Sequence, residues 1–261
     1  MAEEKHREFW ERMGGEMPYY GVLTEDRFQG RTLDERARDA FFETGEVHVA
    51  GVLEWVRTYL NPQFTPTTCL DFGCGVGRLA IAFGRRIPRV LAIDASNAML
   101  SEAAANAQRL GVTNVTFQRG DERLEGVTGR FDLVHTYVVL QHISTDRAEL
   151  AFTRLVDLVA DAGVGVLHVS LGIDDETPLR REWRHARSRM PWLSAIANML
   201  KGRAAATPIF PMHELALNRL SRILRDRGCD RVIVQFTQHG RSFGAVLLFT
   251  RRPAVGPPAI A

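Results

Sequence analysis

Apolar and polar positions follow two rhythms along the chain, and the change near residue 67 divides it. Before that point the spacing is helical. Glu3–Met13 predicts an amphipathic helix, followed by Gly14-Gly15 and an irregular stretch that ends near Gly30. Residues 34–60 predict helix again, with Phe41, Phe42, Val49, Val52, Leu53 and Val56 on one face and a break near Thr44-Gly45. Pro62 and Pro66 close this stretch, so residues 1–66 read as an N-terminal helical cap.

From Thr67 short apolar runs alternate with helical segments. Strands are expected at 68–72, 89–94, 114–119, 131–136 and 163–170, and helices at 77–86, 97–110 and 145–160. Val90-Leu91-Ala92-Ile93 and Val164-Gly165-Val166-Leu167 are apolar at successive positions, which suits strands buried on both faces of a parallel sheet. Right-handed crossovers then give a doubly wound α/β fold. Residues 172–211 interrupt the rhythm with a basic stretch (Arg180 to Arg189) and large apolar residues such as Trp183, Trp192 and Phe210. This segment reads as a helical insertion after strand five. A helix at 212–227 and two strands, 230–238 and 243–251, follow as a hairpin around His239-Gly240-Arg241. The domain therefore runs over 67–252, and the proline-containing tail 253–261 is expected to be disordered.

Composition changes this picture little. The chain has 261 residues, 45% apolar and 25% charged, which is ordinary for a globular protein with a substantial core. No apolar run is long enough to span a bilayer, and Met1–His6 is too polar for a signal peptide. Cys69, Cys74 and Cys229 form no paired or metal-type spacing, so they read as reduced thiols of a cytoplasmic protein, with no metal expected. A net charge of +2 gives no reason to expect a nucleic-acid partner. Only Lys5 and Lys201 are lysines among the 33 basic residues, so a single arginine is weak evidence of a phosphate site.

The chemistry concentrates in Cys69-Leu70-Asp71-Phe72-Gly73-Cys74-Gly75-Val76-Gly77-Arg78. A strand ends in an acid, glycine recurs at alternate positions, and a helix begins. Bare main chain there lets a ligand approach closely. A dinucleotide site would carry G-x-G-x-x-G, but Arg78 occupies the third glycine position and Gly77 falls one residue early. The acid before the loop favours a cofactor that carries positive charge.

This stretch resembles motif I, D-x-G-x-G-x-G, of the class I S-adenosylmethionine-dependent methyltransferases. Three further matches follow in order. Asp94 ends the second strand, Gly120-Asp121 ends the third, and Phe131-Asp132-Leu133-Val134 leads to Val139-Leu140-Gln141-His142-Ile143 in the fourth. The resemblance implies a Rossmann-like, mostly parallel seven-stranded sheet closed by the antiparallel hairpin. It implies S-adenosylmethionine as cofactor and S-adenosylhomocysteine as product. In that family the acid at Asp94 binds the ribose, and Ser96 is left to cap the next helix. The acid at Asp121 meets the adenine amino group, with Glu122 beside it. Thr136 and Tyr137 fall near the methionine part, and Cys74, Ala95 and Met99 complete the expected contacts. Asp71 has two readings, holding the loop N–H groups and facing the cofactor ammonium. Arg78 has two as well, reaching the cofactor carboxylate or facing solvent.

For the reaction, His142 is the natural candidate for a general base, because an imidazole titrates near neutrality; the other reading is that it only holds its loop. Tyr20 and His239 compete with it. His135 and His168 lie within strand patterns and read as core residues, and Asp132 reads as a strand tether. O-methylation of a small molecule, secondary metabolite or sugar is the leading expectation. N- or carboxyl-methylation, a nicotinamide-linked oxidoreductase and a non-catalytic cofactor-binding scaffold are the alternatives. Base methylation of nucleic acid is disfavoured, because Thr136-Tyr137-Val138-Val139 stands where a [DNS]-P-P-[YF] box would be. The 172–211 insertion is either a substrate wall or a solvated cap with a homodimer contact.

Overall fold

The computed structural model describes residues 2–173, 210, 212–239 and 242–252. Most of the 172–211 insertion, with its basic stretch, and the whole 253–261 tail lie outside the described residues. Seven strands form one sheet in the order β3-β2-β1-β4-β5-β7-β6. They are β1 (Thr68–Phe72), β2 (Arg89–Asp94), β3 (Val115–Arg119), β4 (Phe131–Thr136), β5 (Val159–Ile173), β6 (Cys229–His239) and β7 (Ser242–Arg251). β1 to β5 are parallel, and β7 runs antiparallel to both β5 and β6. The order reverses between β1 and β4, where open α/β sheets leave a crevice at their carboxyl ends.

Among the described residues the α-helices are α1 (Ala2–Glu16), α2 (Pro18–Val22), α3 (Glu35–Tyr59), α4 (Arg78–Gly84), α5 (Asn97–Arg109), α6 (Thr145–Asp157) and α7 (Leu217–Asp226). Ser96 caps α5 as expected, its hydroxyl accepting from the Met99 N–H at 3.1 Å. Asp34 caps α3 in the same way through the Ala37 N–H at 2.7 Å. Asp132 does tether its strand: one oxygen accepts from the Thr67 N–H, the Thr67 hydroxyl and the Thr68 N–H.

Two expected breaks are absent. α3 runs unbroken through Thr44-Gly45, because Gly45 is a packing residue: a Cβ there would fall on the Arg78 carbonyl oxygen of α4. α1 likewise continues through Gly14-Gly15, and a Cβ on Gly14 would lie 2.8 Å from the Met99 nitrogen. Both glycines bring the N-terminal helices close to the sheet-covering helices. The stretch after them holds α2 and a short 3₁₀ turn, Asp26–Phe28. β5 is longer than expected because its start pairs with Phe131 and its end with Ser242, across irregularities in register. α7 is shorter than expected, starting at Leu217 rather than 212.

The core lies in layers on both faces of the sheet. One is built on α6 and α7 (Phe152, Leu155, Leu220, Leu224). The other is built on α3 and α4 (Val49, Val52, Val56, Phe83). A third cluster seats α1 and α2 against α5 through Met13, Tyr19, Tyr20 and Met99.

Candidate active site

A cavity of about 1270 Å³ opens at the carboxyl ends of β1, β2 and β4. Its floor is the glycine loop. Gly73 and Gly75 both take positive φ, +77° and +53°, which disfavours any side chain. A Cβ on Gly73 would strike Val139, and one on Gly75 would lie 2.6 Å from Val22. The N–H groups of Gly73 and Cys74 both donate to the Ile93 carbonyl, and that of Gly75 donates to Asp94 Oδ2 at 2.8 Å. Asp71 therefore does not hold the loop N–H groups.

Most residues expected at the cofactor line this cavity: Asp71, Gly73, Cys74, Gly75, Arg78, Asp94, Ala95, Met99, Asp121, Glu122 and Tyr137. Gly77 and Thr136 do not. Gly77 takes φ +85° at the start of α4 against Ile81, and the Thr136 hydroxyl donates to the Phe72 carbonyl at 2.9 Å. Of the residues expected as base, His142 and His239 line the cavity. Tyr20 does not; its ring is buried within the N-terminal cluster, 6.5 Å from the Phe210 ring.

Burial sets the charges. Asp94 has its pKa raised, chiefly by burial, while the N–H groups of Ser96, Gly75 and Ala95 pull it down. Burial pushes Glu122 up, but Arg147, its own main-chain N–H and His6 together pull it further down, so its carboxyl ends below the usual value. Arg78 is buried rather than solvent-facing, and burial lowers it to about 10, with Tyr137 and Asp71 opposing. Its Nη1 donates to the Thr44 hydroxyl at 3.3 Å, and its Nε has no partner. Asp71 Oδ2 is likewise buried without a partner. Such orphans are costly unless a ligand meets them. An acceptor carboxylate oxygen and a guanidinium donor in one cavity suit the ammonium and carboxylate of an amino-acid tail.

Two groups of wall residues carry no motif. Trp10 of α1 and Phe210 flank His142, with ring centroids at 5.3 and 5.9 Å. His48 of α3 faces Tyr137, centroids 4.2 Å apart, and the Tyr137 hydroxyl meets His239 Nε2 at 2.8 Å. His135 and His168 are indeed buried, yet both have polar partners: Asp71 for the first and the Thr237 hydroxyl for the second. One signal for His48 stands in the sequence. Positions 41, 45, 48 and 52 form a helical stripe that is otherwise apolar or glycine, and His48 interrupts it. Val138, between Tyr137 and Val139 on the cavity wall, takes φ +60°, strained for a β-branched residue.

Residues 69–163 match the family described as methyltransferase domain. Residues 69–163 are thus a methyltransferase domain, set in the seven-stranded sheet described above. The cofactor of that family is S-adenosylmethionine. The uncharacterized methyltransferase YcgJ of Bacillus subtilis is 35% identical over 79 residues, 30% of this chain and 31% of that protein. The ubiquinone biosynthesis O-methyltransferase of Acinetobacter baylyi is 33% identical over 76 residues, 28% of this chain and 32% of that protein. Other curated matches are RNA methyltransferases. The chain thus spans about a third or less of the length of most of these relatives. Magnesium protoporphyrin IX methyltransferase from Synechocystis PCC 6803, solved with bound SAH, shares the fold along nearly the whole length. Its TM-score is 0.61 at 20% identity, covering 94% of this chain and 97% of that one. Among the described residues no helix is long and apolar enough to cross a membrane, and no cluster of His, Cys, Asp or Glu could hold a metal ion.

Proposed function

We propose that this protein transfers a methyl group from S-adenosylmethionine to a hydroxyl of a small organic acceptor or sugar. The observation that carries the reading is the content of one cavity: a glycine loop, two orphaned charged groups and four imidazoles, with space for more than a cofactor. Asp94 would hold the ribose hydroxyls, and Asp121 and Glu122 would lie at the adenine. Asp71 Oδ2 and Arg78 Nε would take the ammonium and carboxylate of the methionine part, with Tyr137 beside them. When bound, the cofactor supplies an electrophilic methyl on a positively charged sulfur, which leaves as a neutral thioether.

The chain's own work is then alignment, exclusion of water and removal of one proton. Trp10 and Phe210 supply apolar wall, and His142 and His239 are within the same space. A small acceptor accords with these aromatic walls and with the near-balanced charge of the chain. A cytoplasmic location accords with the three unpaired thiols. The test is calorimetry with S-adenosylhomocysteine and NAD, followed by a screen of phenols, sugars, amines and carboxylates read as S-adenosylhomocysteine release. Tight binding of the former and release with hydroxyl acceptors are expected. NAD binding alone, or release only with amines, would overturn the reading; cofactor binding with no release from any acceptor would favour a scaffold.

A further inference from the structure

The geometry points to a proton relay, Asp71–His135–His48, in which His48 takes the proton of the acceptor hydroxyl. This rests on the hydroxyl-acceptor reading above and assigns to it a base on α3.

The three residues come from three elements. Asp71 of β1 and His135 of β4 are direct partners in the parallel register, and Asp71 Oδ1 lies 2.9 Å from His135 Nδ1. Both side chains are almost wholly buried, 3% and 1% exposed. His135 Nε2 in turn lies 3.3 Å from His48 Nε2. His48 reaches across from α3 and lines the cavity, so the nitrogen not engaged by His135 is the one an acceptor can meet.

The protons can be placed by elimination. Asp71, as a carboxylate, only accepts, so His135 Nδ1 carries the proton between them. A neutral His135 then has a lone pair at Nε2, and the proton between the two imidazoles belongs to His48 Nε2. His48 Nδ1 is left as a lone pair, the form a general base needs. When an acceptor hydroxyl gives its proton to His48 Nδ1, the Nε2 proton passes to His135. No proton is created or lost: one leaves the acceptor oxygen, and one extra ends on His135 beside Asp71.

The surroundings favour that end point. Burial first, then the neighbouring His135, Arg78, His168 and His239, hold His48 down to about 2. Burial with His239, His135 and His142 holds His168 to about 3. A proton resting on either is costly in this cluster. His135 sits against a buried carboxylate, where a positive charge is paired. The positive charge that the sulfur loses would thus reappear next to Asp71, and the cavity's net charge is conserved. Arg78 faces Asp71 and Tyr137 from α4 and adds a fixed positive charge at the cofactor end.

The test uses the full chain loaded with S-adenosylhomocysteine. Imidazole nitrogen NMR should show the proton on Nε2 of His48 and on Nδ1 of His135. A proton on His48 Nδ1 overturns the relay whatever the activity. Turnover is then compared for 4-methoxyphenol, a weak acid, and 4-nitrophenol, which is ionised above neutral pH. His48→Gln should lower the first by about 10²–10⁴-fold and the second by less than about tenfold, leaving S-adenosylhomocysteine affinity within about twofold. His135→Gln, which alters a positioning residue, should show the same selective loss and serves if His48→Gln does not fold. Equal losses on both phenols, or no loss, overturn the relay and leave the methyltransferase reading intact. No turnover of any phenol or alcohol by the wild type, with cofactor product still bound, overturns the hydroxyl reading and the relay together.

Discussion

At the glycine-loop end of the cavity the groups on offer are main-chain amides and carboxylates, and Asp94 is fixed by the N–H groups of Gly75 and Ser96. At the β5–β7 end they are imidazoles and a phenol, His48, His239 and Tyr137, with His168 buried against the last two. The first end is assembled from residues 71–96, so local chain geometry sets it. The second draws one side chain each from α3, β5 and β6 and one from the end of β4. Its charge states follow from burial and mutual proximity. The difference teaches where each end is vulnerable. The local end should fail when a single oxygen or a glycine is changed. The assembled end should respond to packing and to pH.

The sharpest way to break this comparison is to remove Asp94. Asp94→Ala deletes a carboxylate that lines the cavity and accepts two main-chain N–H groups. The loss in S-adenosylhomocysteine affinity should be roughly 1.5–3 kcal/mol, the scale of hydrogen bonds to a charged group. That is about tenfold to about 150-fold in Kd by calorimetry. Unchanged affinity in a folded protein would make Asp94 a loop brace only, and the local end would lose its claim on the cofactor.

The same division explains what is legible in the sequence. The inner parallel strands are legible because strands buried on both faces are apolar at successive positions, and the β6–β7 pair is legible from the turn between two strand-like runs. Asp71, Asp94 and Asp121 are legible because each ends a strand at a fixed distance from its loop. Ser96 as a cap follows from local chemistry. Gly45 misleads: glycine on a helix suggests a break, but its reason is the closeness of α3 to α4, a tertiary fact. His135 looks like a core residue and is one, yet its partners Asp71 and His48 lie 64 and 87 residues away. No local pattern carries such pairs. Tyr20 shows the converse: its hydroxyl makes it a candidate base in the sequence, and the fold buries it in the cluster of α1 and α2.

Gly45→Ala probes the packing on which the assembled end depends. The added methyl would fall on the Arg78 carbonyl oxygen and lie 3.1 Å from Arg78 Cγ. Both atoms belong to the first turn of α4, so neither can yield without moving the helix. Overpacking of this kind costs about 1–3 kcal/mol, to be read as a lower midpoint in urea. Because His48 stands one turn further along α3, the variant should also lengthen its contact with His135 and disturb the imidazole proton pattern. An unchanged midpoint would mean that α3 and α4 slide apart freely, and that His48 is not held in place by this crossing.

The smallest effect expected is also the one that separates the two ends most cleanly. His168 is 3% exposed, its Nε2 bonded to the Thr237 hydroxyl at 3.1 Å and its Nδ1 buried without a partner. Burial, with His239, His135 and His142 nearby, lowers it to about 3 from an ordinary 6.5. Between those values the unfolded chain binds the proton and the folded chain does not. The neutral imidazole's contribution is therefore complete above 6.5 and is lost as pH falls towards 3. Over the first pH unit below 6.5 the loss should be about 1 kcal/mol for one such group, since one proton bound only by the unfolded chain is worth about 1.4 kcal/mol for each pH unit crossed. His48 adds a second contribution of the same sign, and His239 and His6, both lowered chiefly by burial, add further ones. At the other end Glu122 is depressed below 4.5, so its ion pair weakens only as pH falls through that lower value. Urea midpoints taken from just above 6.5 to about one pH unit below it thus report the buried imidazoles rather than Glu122. His168→Gln should reduce the wild-type slope in that window by its own share, about 1 kcal/mol over the pH unit. A slope that is already flat in the wild type would mean that water reaches these imidazoles and that their charge is free to change, contrary to the buried, neutral cluster on which His48 as a base depends.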